Sequence, residues 1–252
     1  MPPDDTAPTT ETLTIIYEDD LLVAVHKPAG LLVHKSPIDH HETRYAMRIL
    51  RDQIGQHVFP VHRLDKPTSG LLLFAKDADT AAIVAQQFEA RQVQKCYIAL
   101  VRGWPNAHGT IDHPLRHVAD FKHQAEAAKA KEAQDATTTY RRMTCYELPW
   151  PDGRFTSSRY SLIGLAPHTG RKHQLRRHLK HIAHPIIGDV KYGKGPHNRL
   201  FREQLHCHRL LLAATTLSLT HPQSGNTLVL QCPLESDFAQ LLETLQQWRA
   251  DL

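Results

Sequence analysis

Apolar and polar positions first alternate in short runs. Leu13 to Tyr17 and Leu21 to Val25 read as two strands around the acidic turn Glu18-Asp19-Asp20. The period then lengthens, with Tyr45, Ile49 and Leu50 on one face, which predicts a helix over 42–54 that Gly55 stops. Val58 to Val61 and Gly70 to Ala75 predict strands around a turn. Ala82, Ile83, Gln86, Gln87 and Ala90 keep helical spacing, and Asp79 stands where it would cap a helix running to Arg91. Further strands are expected over 93–101, 138–147, 158–165, 210–219 and 227–231, with a closing helix over 236–249. Residues 1–12 are Pro/Thr-rich and read as a disordered tail. Residues 117–137 are polar and alanine-rich, so they form a loose helix or a mobile insertion and add little core. Helices interrupt the strands irregularly rather than in strict alternation. The expected fold class is therefore α+β, a mixed, largely antiparallel central sheet with flanking helices.

A chain of 252 residues exceeds one average domain and falls short of two, which favours one large domain or two intimately packed halves, and a single domain over 13–252 is expected. No apolar run approaches the ~20 residues that a membrane span requires, and the N-terminus lacks the basic-then-apolar order of a signal peptide. Four cysteines, Cys96, Cys145, Cys207 and Cys232, form no C-x-x-C pair, and isolated thiols suit a reducing cytoplasm. His206-Cys207-His208 would share a face if extended, yet no second Cys/His pair follows at ligand spacing, so no metal is expected.

Charge changes this picture. The net +4 is unevenly spread: residues 171–209 hold ten Lys/Arg and seven His against only Asp189 and Glu203, a local +8 that leaves −4 for the remainder. A solvated helix face is the usual reason for a basic run, but so concentrated a stretch is also the footprint of a polyanion partner, with nucleic acid the leading candidate.

Three constellations carry candidate chemistry. His62-Arg63-Leu64-Asp65-Lys66-Pro67-Thr68-Ser69-Gly70-Leu71-Leu72-Leu73 sets one carboxylate between two cations just before a turn. A strand ending in Asp65 would present it on a rigid rim, where Arg63 and Lys66 favour its nucleophilic, ionised form. An Asp in such a place more often bonds its own turn. Gly170 to Leu179 opens a helix whose apolar stripe is Leu175, Leu179 and Ile182. That places Arg176 at the stripe's edge, able to reach a partly buried acid or simply to snorkel, and Arg177 and Lys180 toward phosphates. Tyr97, in Gln94-Lys95-Cys96-Tyr97, is a core or rim aromatic unless a partner singles it out.

Together these segments resemble the pseudouridine synthases, in the large subgroup that modifies ribosomal and transfer RNA. The resemblance runs from about Ile15 to about Leu230 and rests on four motifs in order. They are Val25-His26-Lys27-Pro28-Ala29-Gly30-Leu31 with Val33-His34, the HRLD-to-TSGLLL run at 62–73, Lys95 to Tyr97, and GRKHQLR at 170–176. Three longer stretches, RDQIGQHVFPVHRLDKPTSG, QQFEARQVQKCYIALVRGW and TGRKHQLRRHLKHIAHPIIGD, resemble the group whose members modify uridine 65 of tRNA.

The resemblance implies that Asp65 is the nucleophile, on the uracil ring or on ribose C1′, that Arg176 is its basic partner, that Tyr97 packs on the target base and that Arg63 supports the gap in the RNA stack. Chemistry on a paired base requires that base to be flipped out, which suits a stacking Tyr and an inserting Arg. Arg171, Lys172, Arg177, Lys180, His62 and Lys27 are expected to bind substrate, and Gly30 and His34 to be structural or RNA-contacting. Isomerisation needs no cofactor, and none is expected. The partner is tRNA, or else ribosomal RNA, bound by a monomer. Only about a dozen residues precede the first strand, so no separate N-terminal RNA-binding domain is expected. Two other readings are a non-catalytic RNA-binding module and a nucleoside hydrolase. The second usually needs two carboxylates, whereas the motifs supply one.

Overall fold

The computed structural model of the chain describes residues 10–35, 42–118, 132–153 and 155–251. They divide into two compact units, one within residues 1–94 and 214–233 and one within 95–213 and 234–252.

In the first unit β1 (Thr14–Glu18) and β2 (Leu22–Lys27) pair antiparallel around the acidic turn. The Asp19 carboxylate closes that turn by accepting the N–H groups of Leu21 and Leu22 at 2.8 and 2.7 Å. β2 pairs in turn with β4 (Ser69–Ala75), from Leu22 opposite Ala75 to Lys27 opposite Gly70. Every residue of β4 is buried, which is why the strand reads as a continuous apolar run. The two-residue β3 (Phe59–Pro60) also pairs with β4. β9 (Leu212–Thr220) begins in the second unit and continues in the first, where β10 (Thr227–Gln231) pairs with it antiparallel.

Gly70 has φ +105°, and a Cβ there would lie 2.1 Å from the Ala214 carbonyl oxygen. Only glycine lets the start of β4 pass this close to the β9 backbone. Helix α1 (Ala46–Ile54) buries Ala46, Ile49 and Leu50 and ends on left-handed Gly55, as the pattern predicts. It begins four residues later than expected because Tyr45 is extended and bridges Leu32. Helix α2 (Ala78–Glu89) is capped by Asp77, not Asp79: the Asp77 carboxylate takes the Thr80 N–H at 2.8 Å and the Thr80 hydroxyl at 2.7 Å. Asp79 falls inside the first turn, where its charge complements the helix dipole.

The second unit is ordered β5-β8-β7-β11, with β6 paired to β7. Its strands are β5 (Gln94–Arg102, whose first residue falls in the other unit), β6 (His108–Asp112), β7 (Thr137–Leu148), β8 (Ser158–Pro167) and β11 (Arg249–Ala250). Each named pairing is antiparallel. Residues of β5 alternate between two apolar clusters. Leu100 joins Tyr146, Tyr160, Phe201 and Phe238, whereas Ala99 and Val101 join Ile163, Leu175 and Leu179. Helices α4 (Gly195–Leu205) and α5 (Ser236–Leu245) supply Phe201 and Phe238 to the first cluster, and α3 (Gln174–His181) supplies Leu175 and Leu179 to the second. Each such buried side chain contributes roughly 1.5–3 kcal/mol.

Several expectations are corrected. α3 begins at Gln174 rather than Gly170, because His173 adopts a left-handed φ of +56° and turns the chain first. The closing helix ends at Leu245, followed by a 3₁₀ turn and β11. His206 is left-handed and ends α4, so residues 206–208 are not extended and the premise of a shared His-Cys-His face fails. Helix α4 and strand β6 went unrecognised in the sequence. Of the proposed insertion, 119–131 lie outside the described residues, while Leu115 bridges Gln134 and β7 starts at Thr137. The outcome is the expected mixed α+β fold with antiparallel pairing. Among the described residues no helix is long and apolar enough to cross a membrane.

Gly70→Ala is expected to destabilise the protein by at least about 2 kcal/mol, since it adds a backbone clash to an unfavourable φ. Urea unfolding measures it, and a loss below about 0.5 kcal/mol would show that β4 can move away.

Candidate active site

Asp65 lies in the loop that joins β3 to β4, not at a strand end as expected, and Pro60 and Pro67 flank it. The Thr68 N–H donates to the Asp65 carbonyl at 2.9 Å and closes the turn. Lys27, at the end of β2, holds this turn from beneath. Its side chain is 0% exposed, and its ammonium donates to the carbonyls of Pro28 and Leu31 at 2.8 Å each and of Lys66 at 3.2 Å. The Lys66 carbonyl also accepts the Gly30 N–H at 2.9 Å, with Gly30 at φ +85°. Lys27 therefore joins the 27–31 turn to the Asp65 turn, and its burial removes it from direct contact with substrate.

Neighbouring side chains anchor the same loop. His62 Nε2 accepts the Leu73 N–H at 3.0 Å, and its ring stacks on Phe88 at 5.2 Å between centroids. The Lys66 ammonium pairs with Glu42 at 3.3 Å. Arg63 is exposed. Burial, and after it the nearby Arg63 charge, hold the His34 imidazole below its ordinary pKa.

The second unit carries the other residues singled out in the sequence. Tyr97 stands on β5 opposite Leu165 of β8 and packs partly buried against the Ala99–Val101 cluster. Lys95, two residues earlier on the same face of the strand, lies 3.9 Å from the Cβ position of Gly170, and burial lowers its pKa.

Arg176 is buried on α3 and forms a two-point ion pair: its Nε and Nη2 donate to the two Asp189 carboxylate oxygens at 2.7 and 2.9 Å. In the sequence Asp189 is one of only two acids in a basic stretch. Burial raises its pKa, but the Arg176 bonds and the N–H groups of Tyr192 and Lys191 outweigh burial and hold it below the usual carboxylate range. The Tyr192 ring lies 5.2 Å from the Arg176 guanidinium, with Lys191 and Lys180 at 5.7 and 5.8 Å, and its hydroxyl meets His173 Nδ1 at 2.9 Å. Arg177 is half-buried rather than fully on the solvent side, and Lys180 is exposed. Arg171 Nε donates to the Asp135 carbonyl at 3.1 Å, and Lys172 is partly exposed.

Beneath α3 lies a polar network that sequence reasoning missed. The Gln174 side chain accepts from the Thr169 hydroxyl and the Arg171 N–H, and donates to the Thr137 carbonyl and the Thr138 hydroxyl. His178, 0% exposed, contacts the His113 carbonyl through Nε2 at 3.1 Å and the Thr138 hydroxyl through Nδ1 at 3.0 Å. A carbonyl only accepts, so Nε2 carries a proton; burial lowers the His178 pKa and favours the neutral ring, in which Nδ1 accepts from the Thr138 hydroxyl. Among the described residues no group of three or more His, Cys, Asp and Glu could hold a metal ion.

A class follows from comparison with solved structures. Human RNA Pseudouridylate Synthase Domain Containing 4 superposes with a TM-score of 0.68 at 28% identity, over 92% of this chain and 93% of that one. Human RNA Pseudouridylate Synthase Domain Containing 1 shares the fold at a TM-score of 0.66 and 24% identity, over 97% and 99%. The chain belongs to the RNA pseudouridylate synthase family, whose model matches residues 21–181, and it is thus an isomerase. Its relatives include tRNA pseudouridine synthase C of Vibrio parahaemolyticus, 46% identical over 240 residues that cover 95% of this chain and 97% of the relative. That of Haemophilus influenzae is 48% identical over 230 residues, covering 91% and 96%.

The buried histidines predict a pH dependence of stability. His178 is held neutral as described, and His197 Nε2 accepts from Arg102 at 2.9 Å while its Nδ1 meets the Tyr160 hydroxyl at 2.9 Å. Burial is the leading cause that lowers both pKa values below 6.5. The unfolded chain therefore takes up protons first, so stability is full above 6.5 and falls as pH drops through the folded-state values. The slope in that window is up to about 1.4 kcal/mol per pH unit for each histidine. Urea midpoints between pH 8 and 5 check this, and a midpoint that holds or rises toward pH 5 would contradict it.

Proposed function

We propose that this chain converts one uridine of tRNA, uridine 65, to pseudouridine, with Asp65 as the nucleophile. The observation that carries the reading is identity of 46% and 48% over more than nine-tenths of the chain to relatives named tRNA pseudouridine synthase C. The four motifs in register support the assignment of individual residues. In the reaction the N1–C1′ bond of the nucleotide breaks, the base turns, and a C5–C1′ bond forms. C5 loses a proton and N1 gains one, so atoms balance without a redox partner. Asp65 attacks the ring or the sugar to permit that rotation, Arg176 serves as its basic partner, Tyr97 packs on the flipped base, and Arg63, exposed on the same loop, fills the vacated stack.

Arg171, Lys172, Arg177 and Lys180 meet backbone phosphates in this reading. His62 and Lys27 serve the RNA indirectly, through the loop they hold. Residues 13–252 act as one catalytic domain and work as a cytoplasmic monomer.

Asp65→Asn is expected to bind a tRNA transcript as the wild type does and to form no pseudouridine. Filter binding and nucleoside analysis of the same sample check this, and conversion by the variant would end the assignment of Asp65. Replacing Arg177 and Lys180 together by Ala should flatten the dependence of log affinity on log salt, by about 0.9 for each phosphate left unneutralised, up to about two phosphates. An unchanged slope would remove both residues from the binding surface.

A further inference from the structure

The surroundings of Asp189 are built more elaborately than an ion pair requires. Its carboxylate accepts not only from Arg176 but also, through Oδ1, from the N–H groups of Lys191 and Tyr192 at 2.9 Å each. The Asp189 carbonyl accepts from the Gly193 N–H and from Asn198 Nδ2, both at 3.0 Å. The Asn198 side chain grips the other flank as well, because its Oδ1 takes the Gly188 N–H at 2.9 Å. Gly188 is left-handed at φ +79°, and a Cβ there would lie 1.8 Å from the Arg209 carbonyl oxygen. The main chain on both sides of Asp189 is thereby fixed, and the carboxylate's direction follows from the fold.

For stability alone this is a poor use of two charges. Both side chains lose their hydration, and well-packed apolar residues of similar size do as well or better at such places. What the arrangement does supply is direction. Two parallel N–H···O bonds fix the guanidinium in its plane, and the Tyr192 ring lies against it, itself bonded to His173. Two of the five guanidinium donors are spent on this edge.

We infer that Asp189 is the positioning residue of Arg176, presenting the guanidinium to the reacting groups in one orientation through the turn that Asn198 locks. The inference rests on the assignment of Arg176 to the reaction made above. It predicts a loss of rate without loss of RNA binding, because Asp189 acts on the geometry of one side chain and not on the phosphate contacts.

The test uses the full chain and an unmodified tRNA transcript. Asp189→Asn keeps the side-chain volume and an oxygen for the Lys191 and Tyr192 N–H groups, but removes the charge and sets Arg176 against an amide. Its kcat is expected to fall about tenfold or more with KM within about twofold of wild type, and Asp189→Glu is expected to recover part of the rate. Thermal melts confirm that the variants compared are folded at the assay temperature. Asn198→Ala, which loosens the turn and leaves both charges in place, is expected to lower kcat in the same sense by a smaller factor. If Asp189→Asn is folded and turns over at the wild-type rate while Arg176→Ala is inactive, the inference is overturned and the role of Arg176 stands. If Asp189→Asn does not fold, an unchanged kcat in Asn198→Ala overturns it. Wild-type turnover by Arg176→Ala would instead remove the reading of Arg176 itself, and this inference with it.

Discussion

The position of the Asp65 turn depends on one buried ammonium. Lys27 is enclosed by carbonyls from both sides of its own turn and by the Lys66 carbonyl one residue past Asp65, and none of its charge reaches solvent. A buried ammonium is costly unless its donors are used, and here its bonds to three carbonyls fasten the 27–31 turn to the Asp65 turn. The Gly30 N–H adds a second bond to the Lys66 carbonyl, and Gly70 lets β4 start close against Ala214. The loop bearing the proposed nucleophile is thus set from behind by Lys27, from the side by His62, and at its exit by a glycine.

The second unit applies the same device with opposite charge. Asp189 stands in a turn fixed by Asn198 and receives the guanidinium of Arg176 from α3. In both places a buried charged group is surrounded by main-chain partners, and in both the motif residue with the proposed chemistry is the one being held. The exposed cations nearby, such as Lys180 and Lys191, suit a polyanion that is bound and released with each turnover.

Much of this was legible from the sequence, and the failures have physical causes. Strands with strong apolar character, such as Leu22–Lys27 and Ser69–Ala75, stood out because burial on both faces leaves little room for polar residues. Helix α4 escaped notice because its segment, GPHNRLFREQL, buries only His197 and Phe201, too sparse a stripe to register as a period. The cap of α2 went to Asp77 rather than Asp79, since two nearby acids compete for one position and only Asp77 can reach Thr80 from an extended backbone.

At the site, the motifs led to Asp65, Tyr97 and Arg176 by resemblance, whereas spacing alone left Asp65 open to an ordinary turn role. Asp189 was visible only as one of two acids among ten Lys/Arg, and that oddity was itself a signal: a carboxylate in a +8 stretch has cations within reach to pair with. The Gln174 and His178 network left no such mark, because buried polar residues on a helix look like solvent-facing ones until their partners are placed.

Mapping pseudouridine at nucleotide resolution in total tRNA and ribosomal RNA tests the proposed reaction and its target at once. RNA from cells with and without this gene is compared. Pseudouridine at position 65 of tRNA is expected to disappear without the gene and to return with it, while ribosomal sites are unchanged. Loss confined to ribosomal positions, with tRNA position 65 unaffected, would contradict the proposed target.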